Sequence, residues 1–108
     1  MARKKLDTLS EQMYYILLSL YAGPMHGYRI MRHAAQLTQG RVVIGAGTLY
    51  ALLGRFQEEG CIRLCGTEEG RKSYELTPSG RQLLENEFQR LRRQVADGAP
   101  FLDKGEEK

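Results

Sequence analysis

The stretch 46–59, AGTLYALLGRFQEE, decides how the rest of the sequence is interpreted. Four of its apolar residues recur at intervals of three and four, which predicts an amphipathic helix with one face in a core: Leu49, Leu52, Leu53 and Phe56. The opposite face centres on Gly47, Ala51 and Gly54. Each glycine destabilises a helix by about 1 kcal/mol relative to alanine. We therefore expect a partner molecule to approach this bare face, which has no side chain larger than a methyl group, at close range.

Two helices are predicted before this stretch. The first covers 8–21 and opens on TLSE at 8–11, a capping-box pattern with Thr8 as the cap. The second covers 26–37, with apolar residues along one side. Its two histidines, His26 and His33, would lie about 10 Å apart along the helix axis, too far to share a metal ion. Structural roles are favoured for both.

After the stretch, a short β-hairpin is predicted. Residues 61–65 and 73–76 alternate in polarity as strands do, and the polar segment 66–72 joins them as a charged tip. The residues expected to face the core are Ile62, Leu64, Tyr74 and Leu76. Cys61 and Cys65 would have α-carbons about 13 Å apart in such a strand, too far for a disulfide. Two thiols are also too few for a structural zinc site, so we expect them to be reduced.

A long helix is predicted to follow the hairpin. Thr77 is a suitable helix cap, Pro78 suits the first helical position, and the helix is expected to end near Ala96. Its apolar residues are spaced by four, three and four, as in a coiled-coil seam: Leu84, Phe88, Leu91 and Val95. This seam extends too far for a three-helix core to cover, and the first helix is apolar round most of its surface. We expect a second subunit to cover both, and a flexible tail over 98–108.

Length and composition are typical of one small globular domain. The 108 residues carry a formal net charge of +3 with a pI of about 9.0, which allows nucleic acid as a partner. Residues 1–57 hold seven basic and two acidic side chains, and the rest of the chain nine basic and eleven acidic. This distribution favours a positive face. The longest uncharged run, 12–28, is shorter than the ~20 apolar residues of a membrane span, so we expect a cytoplasmic protein.

Three helices, a two-stranded hairpin and a long helix describe a mainly α fold, a winged helix-turn-helix with a C-terminal dimerisation helix. We assign 1–77 to the DNA-binding domain with its N-terminal helix, 78–97 to the dimerisation helix and 98–108 to the tail. No cofactor or metal site is predicted. No enzyme is indicated either, because the histidines and cysteines lie on separate elements without a catalytic motif.

In a winged helix, the third helix enters the major groove of double-stranded DNA and the hairpin touches the backbone beside it. The bare face at 47, 51 and 54 would let the helix backbone approach the bases. The hydroxyls of Thr48 and Tyr50 are suited to binding phosphates. Arg71 and Lys72, at the hairpin, are suited to a phosphate or to the minor groove.

Five segments, by their order and spacing, resemble the PadR family of bacterial transcriptional regulators: 9–20, HGY at 26–28, GTLY at 47–50, EEG at 58–60 and YELTPSG at 74–80. The resemblance implies a homodimeric winged-helix repressor of the short-chain subtype, whose last helix pairs with its counterpart and with the first helix of the partner. It also implies a palindromic operator and, in some members, release by a small aromatic or drug-like ligand. Ala51 departs from the proline that often follows GTLY in the family.

The residues and the resemblance together define two candidate sites. The predicted DNA-binding residues are His26, Tyr28, Arg41, Gly47, Thr48, Tyr50, Ala51, Arg55, Arg71 and Lys72. The predicted dimer interface, with room for an aromatic effector, comprises Met13, Tyr14, Leu17, Leu84, Phe88, Leu91 and Val95. The resemblance also implies that members that bind planar drugs commonly use aromatic residues, tryptophan included, at the dimer centre, whereas this last helix offers only Phe88, with Leu91 a turn further on.

A second hypothesis stays open at this point. The chain would then be a ligand- or redox-responsive sensor or an interaction module, without strong sequence-specific DNA binding. Its input would be a small molecule at the dimer interface or an oxidant acting on Cys61 and Cys65.

Overall fold

The computed structural model describes residue 6 and residues 8–103, and its elements follow the predicted order. The helices are α1 (Glu11–Ala22), α2 (Gly27–Leu37), α3 (Ala46–Glu58) and α4 (Pro78–Leu102). The strands are β1 (Met25–His26), β2 (Ile62–Glu68) and β3 (Arg71–Leu76). Arg3, Lys4, Lys5 and Asp7, which enter the charge count of the first half, lie outside the described residues, as do residues 104–108 of the predicted tail. Within the described part of the chain, none of the helices combines the length and apolarity that a membrane crossing needs.

Helix α1 begins later than its capping pattern predicted. Ser10, not Thr8, is the cap, and its side chain accepts a hydrogen bond from the Met13 amide at 3.2 Å. The Leu9 amide instead donates to the buried carboxylate of Glu87 in α4, at 2.9 Å. This long-range bond holds the chain before Ser10 outside the helix. The local pattern therefore predicted the wrong start.

The core lies where the three N-terminal helices meet the sheet and the start of α4. Its largest fully buried apolar side chains are Ile16, Leu17, Ile30, Leu49, Leu53 and Phe56. Three of the four predicted apolar positions of α3 are therefore buried, and Leu52 packs against the edge of the core. Burial of one such side chain contributes about 1.5–3 kcal/mol. Because the apolar face of α3 is buried in the core, the opposite face, with Gly47, Ala51 and Gly54, points outward.

The hairpin is longer than predicted and carries a third strand. β1 pairs antiparallel with β3, with Met25 opposite Tyr74 and His26 opposite Ser73, in the sheet order β1-β3-β2. Two residues are too few to show alternation, so β1 was not predicted. The predicted loop over 66–72 is wrong, because β2 and β3 continue to a two-residue turn. Both residues of this turn, Glu69-Gly70, have positive φ (56° and 75°), as hairpin turns that match strand twist require.

One strand residue expected to face the core is exposed. Leu64 pairs with Tyr74 and shares its face, but it is 46% exposed, whereas Ile62 is 2% exposed. β2 is an edge strand, and its register with β3 shifts between Leu64 and Gly66. Alternation predicts the face of a side chain, but it does not show how far neighbouring elements cover that face.

Helix α4 passes its predicted end near Ala96 and continues to Leu102. Pro100 lacks the amide hydrogen that a helix interior needs. The Asp103 amide nevertheless closes the final turn on the Ala99 carbonyl, at 3.0 Å. The first part of the predicted flexible tail is therefore helical.

A buried carboxylate fastens α4 to the start of α1. Glu87 is 2% exposed and, besides the Leu9 amide, it binds the Arg90 guanidinium through two hydrogen bonds of 2.7 and 2.8 Å. The Arg90 hydrogen bonds hold the pKa of Glu87 below its ordinary value, with a smaller contribution from the Leu9 amide and against the opposing effect of burial. Periodicity placed Glu87 among the charges outside the apolar seam. Only the packing of α4 on α1 shows that it is buried.

Candidate nucleic-acid interface

The outer face of α3 is open. Its exposed residues are Gly47, Thr48, Tyr50, Ala51 and Gly54. A Cβ built on Gly47 or on Gly54 would meet no described atom within 4 Å, so the packing of the subunit itself does not require either glycine. A shallow groove of about 550 Å³ follows this face and is lined by Tyr50, Ala51, Gly54, Arg55 and Glu58. The face is accessible to a large partner.

A second exposed group lies where α2 meets the wing, the hairpin formed by β2 and β3. The Tyr28 ring at the start of α2 is half exposed, with the Arg71 guanidinium of β3 at 5.2 Å and the Arg32 guanidinium of α2 at 5.9 Å from its centre. The pairing of His26 with Ser73 brings α2 and the wing together. We call Tyr28, Arg32 and Arg71 the aromatic–arginine cluster. Such stacking holds two positive groups in place at an exposed surface.

The cluster unites two predicted DNA-binding residues, Tyr28 and Arg71, that are far apart in the sequence. It also contains Arg32, which the sequence analysis missed. A signal for Arg32 existed, because Tyr28 and Arg32 are four residues apart on one helix, a spacing at which side chains meet. Lys72, next to Arg71 on β3, is exposed as well.

His26, by contrast, does not lie on this surface. It is 4% exposed and caps α2, its Nδ1 accepting a hydrogen bond from the Arg29 amide at 3.2 Å. Its Nε2 lies 3.6 Å from the Glu69 carboxylate at the tip of the wing. Because the cap and the wing tip occupy both ring nitrogens, His26 has a structural role. Its burial does not support the prediction that it binds DNA.

The tip of the wing is acidic and faces α2. The Arg29 guanidinium binds the Glu68 carboxylate at 3.1 Å, next to the contact between Glu69 and His26. Both carboxylates of the tip therefore lie against groups of their own subunit. The charge of Arg29 is paired, whereas no carboxylate among the described residues pairs with the arginines of the aromatic–arginine cluster.

Two other predicted arginines have different surroundings. The Arg41 guanidinium donates to the Glu11 carboxylate at 3.1 Å and to the Tyr15 hydroxyl at 3.3 Å, both in α1. The Tyr15 hydrogen bond raises the pKa of Arg41. Arg41 is thus held at α1 and is not brought to the outer face of α3. Arg55 does lie beside the groove of α3, and its Nε is buried without a hydrogen-bond partner among the described groups.

The predicted dimer interface divides into core and surface residues. Those buried in the core of the subunit itself are Met13, Leu17 and Leu84. They contribute to the core of one subunit, and Leu84 also lines a groove beside Tyr14 and Phe88. The residues that reach the surface are Tyr14, Phe88, Leu91 and Val95. We call these four the α1–α4 surface.

The α1–α4 surface lines an open groove of about 750 Å³ between the start of α1 and the second half of α4. Leu9 and Tyr15 complete its apolar wall, and the Tyr14 and Tyr15 rings meet edge to face with centres 5.4 Å apart. A second groove, of about 590 Å³, extends toward Tyr21. Tyr14 and Phe88 line both grooves and so form a ridge between them.

The two cysteines differ in their surroundings. Cys61 is buried and Cys65 is exposed. Although Cys65 is exposed, partial burial of its thiol raises the pKa. Glu75 raises this pKa further, against a smaller opposing effect of Arg63. A raised pKa leaves less of the reactive thiolate at neutral pH, which does not favour an oxidant sensor. Among residue 6 and residues 8–103, no three histidine, cysteine or acidic side chains are grouped so that they could hold a metal ion.

The comparisons with known proteins agree on one group. The family described as "Transcriptional regulator PadR-like family" matches residues 16–86. A transcriptional regulator from Clostridium thermocellum superposes with a TM-score of 0.74 at 26% identity, over 83% of this chain and 91% of that one. PadR of Bacillus subtilis, solved in complex with operator DNA, superposes with a TM-score of 0.64 at 28% identity, over 71% of this chain and 46% of that one.

A curated relative is named as a transcriptional regulator as well. YqjI of Escherichia coli is 37% identical over 60 residues, which are 56% of this chain and 29% of that protein. The chain spans less than a third of the length of the curated relatives it matches. The matched segments are 27% of the length of one relative and 29% of the length of the other.

Proposed function

Since the chain belongs to the PadR-like family of transcriptional regulators and has a winged-helix fold, we propose that it represses transcription by binding a palindromic operator as a homodimer. The observation that carries the proposal is the open outer face of α3 beside the aromatic–arginine cluster. Base edges require close approach and phosphates require positive charge. The operator DNA bound to Bacillus subtilis PadR supports the same type of partner.

We place α3 in the major groove, where a winged helix puts its recognition helix. Gly47, Ala51 and Gly54 have no side chain larger than a methyl group, so the helix backbone can come close to the base edges. Thr48 and Tyr50 flank this bare strip, and the Thr48 hydroxyl can donate to phosphates or bases. The outer face of α3 thus contributes shape and hydrogen bonds to DNA binding, while the positive charge comes from α2 and the wing.

The phosphate backbone beside that groove would be bound by three positive groups. Arg32 on α2 and Arg71 on β3 are both held against the Tyr28 ring, and Lys72 follows Arg71 on the same strand. Because the guanidinium groups are already stacked, they lose little conformational freedom when a phosphate binds. This arrangement fixes the position of the duplex and leaves the discrimination of bases to α3.

The proposed homodimer uses the α1–α4 surface. The side chains of Phe88 and Val95 are 47% and 71% exposed, on a helix whose second half extends beyond the core. A twofold contact of these helices would bury the ridge of Tyr14 and Phe88. It would also present two recognition helices related by the same twofold axis, which is why we expect a palindromic operator.

The proposed effector is a small aromatic molecule in the 750 Å³ groove of the α1–α4 surface. This volume lies within the usual range of ligand pockets, and Tyr14, Tyr15 and Phe88 supply ring faces. The sequence contains no tryptophan, so any stacking on the ligand depends on these three residues. A ligand that occupies a groove closed by the partner would change the spacing of the two recognition helices and so release DNA.

Selection of bound duplexes from a random pool tests DNA recognition directly. We expect enrichment of a palindromic sequence. A gel shift on that sequence at nanomolar to sub-micromolar protein should weaken steeply as salt rises from about 50 to 200 mM. Circular dichroism of the same sample confirms that the protein is folded. A folded sample that enriches no sequence would contradict the proposal and favour an interaction module without sequence-specific DNA binding.

Thermal unfolding with a panel of planar aromatic compounds tests the effector. A compound present at about 100 times its Kd stabilises the folded state by about 2.7 kcal/mol, and the same compound should weaken operator binding. Phe88→Ala is expected to abolish both responses. If no compound shifts the unfolding midpoint of the unaltered protein, the effector part of the proposal fails while DNA binding still stands.

A further inference from the structure

The HGY and GTLY motifs contact each other through a glycine. Gly27 is the first residue of α2 and is buried. A Cβ built on it would lie 2.5 Å from the hydroxyl oxygen of Tyr50, 2.8 Å from its Cζ and 3.0 Å from its Cε1. Cβ atoms essentially never approach other heavy atoms within 3.0 Å. The Tyr50 ring therefore occupies the space that the side chain of any other residue at position 27 would need.

The backbone of Gly27 gives no other reason for a glycine. Its φ is not among the positive values of the chain, which occur at other glycines and at two turn residues. A residue with a Cβ would adopt this helical conformation without strain. The close approach of Tyr50 is the feature that requires a glycine.

Tyr50 also lies near the wing. Tyr74 on β3 is 7% exposed, and its pKa is raised first by burial and second by the nearby Tyr50 hydroxyl. Tyr50 thus lies where three elements meet: α3, which carries it, α2, which provides Gly27, and β3, which provides Tyr74. The other half of its side chain stays exposed, at 52%, on the outer face of α3.

We propose that Gly27 is a positioning residue for DNA binding: its missing side chain makes room for Tyr50, and this contact sets the orientation of the outer face of α3 relative to α2 and the wing. The inference rests on the proposed function, because it assumes that α3 and the wing bind one duplex together. Gly27 touches no DNA itself. It acts through Tyr50.

The added methyl group of Gly27→Ala would meet the far end of a flexible side chain. Tyr50 is half exposed and can rotate toward solvent, so the fold should accommodate the change. Tyr50 would then leave its place between α2 and β3. The recognition surface changes while the core, which Tyr50 does not enter, keeps its packing.

Four proteins test this inference: the unaltered chain, Gly27→Ala, Tyr50→Ala and the double variant. Fluorescence anisotropy measures the affinity of each for the duplex recovered by selection and for a random duplex. We expect Gly27→Ala to weaken binding of the selected duplex about tenfold, as the loss of one base-pair contact does. Its affinity for the random duplex should change less than about twofold, because non-specific binding depends on the charges.

In the Tyr50→Ala background, Gly27→Ala should add no further loss, since the ring that it displaces is absent. Gly98→Ala is the matched control. Among the described residues, its Cβ would meet the Leu102 side chain alone, at 3.4 Å, and it should leave both affinities unchanged. An equal loss on both duplexes, additive losses in the double variant, or no loss in Gly27→Ala would each overturn the inference.

Thermal unfolding keeps the test decisive if Gly27→Ala proves unstable. Removal of the Tyr50 ring should restore the unfolding midpoint of the double variant to that of Tyr50→Ala. A double variant that is destabilised as much as Gly27→Ala would show that the methyl group meets something else. Failure of the unaltered chain to bind any selected duplex would instead count against the proposed function, and the midpoints would still report on the contact.

Discussion

The proposed DNA-facing surface and the α1–α4 surface are stabilised in opposite ways. On the first, polar and stacking contacts join side chains of different elements: Arg29 with Glu68, His26 with Glu69, and Arg71 with Tyr28. On the second, the exposed residues are apolar and line open grooves. The polar contacts of that region, in which Glu87 accepts from the Leu9 amide and from the Arg90 guanidinium, involve a carboxylate buried beneath the surface.

This difference shows what each surface requires of a partner. A charged partner such as DNA is bound best by groups that are already held in place, because each side chain immobilised on binding costs about 0.5–1.5 kcal/mol. A surface that pairs with a copy of itself gains free energy chiefly by burying apolar area, at about 25 cal/mol per Å². It needs no polar contacts prepared in advance. Substitutions on the two surfaces should therefore have separable effects.

The largest effect is expected at the joint between the two surfaces, at Gly80 in the first turn of α4. A Cβ there would run into the backbone carbonyl of Cys61, which accepts a hydrogen bond from the Thr77 amide at 3.0 Å. Backbone cannot move aside as a side chain can, so Gly80→Ala should destabilise the fold by about 3 kcal/mol or more. Urea unfolding measures this, with Gly98→Ala as the control. Equal midpoints for the two variants would contradict the close packing at Gly80.

A charge on the α1–α4 surface should separate the subunits and leave each one folded. Phe88→Asp places a carboxylate on the ridge that the proposed dimer buries, and we expect it to weaken association by about 2–3 kcal/mol. Sedimentation and far-ultraviolet circular dichroism should report a monomer with unchanged helix content. Arg71→Ala, on the other surface, is the control and should remain dimeric. A persistent dimer in Phe88→Asp would place the interface elsewhere.

The buried carboxylate beneath the α1–α4 surface should matter for stability and not for DNA. Glu87→Gln keeps a hydrogen-bond acceptor for the Leu9 amide but removes the negative charge that faces the Arg90 guanidinium. We expect a loss of about 1–2 kcal/mol in the free energy of unfolding. The control is Gln82→Glu, which makes the reverse exchange between glutamate and glutamine at an exposed position of the same helix. A variant as stable as the unaltered protein would show that the Glu87 contacts contribute little.

The same residue predicts a pH dependence with a defined sign. The pKa of Glu87 is lower in the folded protein than its ordinary value of 4.5. Its contribution to stability is therefore present above that ordinary value and is lost as pH falls through the lowered pKa of the folded state. The difference in unfolding free energy between the unaltered protein and Glu87→Gln should be steady near neutral pH and shrink in acid. A difference that grows in acid would contradict the direction of the shift.

On the DNA-facing surface, removal of charge should weaken binding without affecting the fold. Arg71→Ala combined with Lys72→Ala should lower the affinity for selected and random duplexes alike by about tenfold, and should reduce the slope of log K against log salt by about 2. Arg81→Ala with Arg93→Ala removes the same charge from exposed positions of α4 and is the control. Similar losses in both double variants would show that net charge, and not the wing, determines affinity.

The smallest effect expected is a gain. Glu68→Gln removes the partner of Arg29 and one negative charge from the wing tip, so the freed guanidinium can bind a phosphate. We expect affinity to rise two- to threefold, roughly the value of one exposed ion pair. Glu75→Gln, which frees Arg63 elsewhere on the hairpin, serves as the control. Unchanged affinity in Glu68→Gln would indicate that the wing tip lies away from the duplex.

Much of the fold could be predicted because its signals are local. The apolar spacing of Leu49, Leu53 and Phe56 predicted both the third helix and its buried face. Thr77-Pro78 predicted the start of α4, which the structure places at Pro78. The motifs predicted the family. Of the candidate DNA-binding site, the open face of α3 and the exposure of Tyr28, Arg71 and Lys72 followed from the same patterns.

Three of the differences from the predicted structure share one cause, which is that a residue distant in the sequence changed the local outcome. Glu87 binds the Leu9 amide and moves the cap of α1 from Thr8 to Ser10. The wing tip lies against His26, whose ring is buried and unavailable to DNA. Arg41 points to α1 because Glu11 and Tyr15 bind it there. The spacing of apolar residues along the sequence does not reveal any of these contacts.

The sequence by itself determined the order of the four helices and the hairpin, and the buried and bare faces of α3, because helix periodicity, capping and turn residues act within a few positions along the chain. Only the tertiary structure decided which side chains meet across elements. It placed Tyr50 against Gly27, stacked Arg71 on Tyr28 and buried Glu87 beneath α1. Such contacts depend on how helices and strands pack in three dimensions, and that packing is set by the sum of many weak interactions that no single segment of the sequence contains.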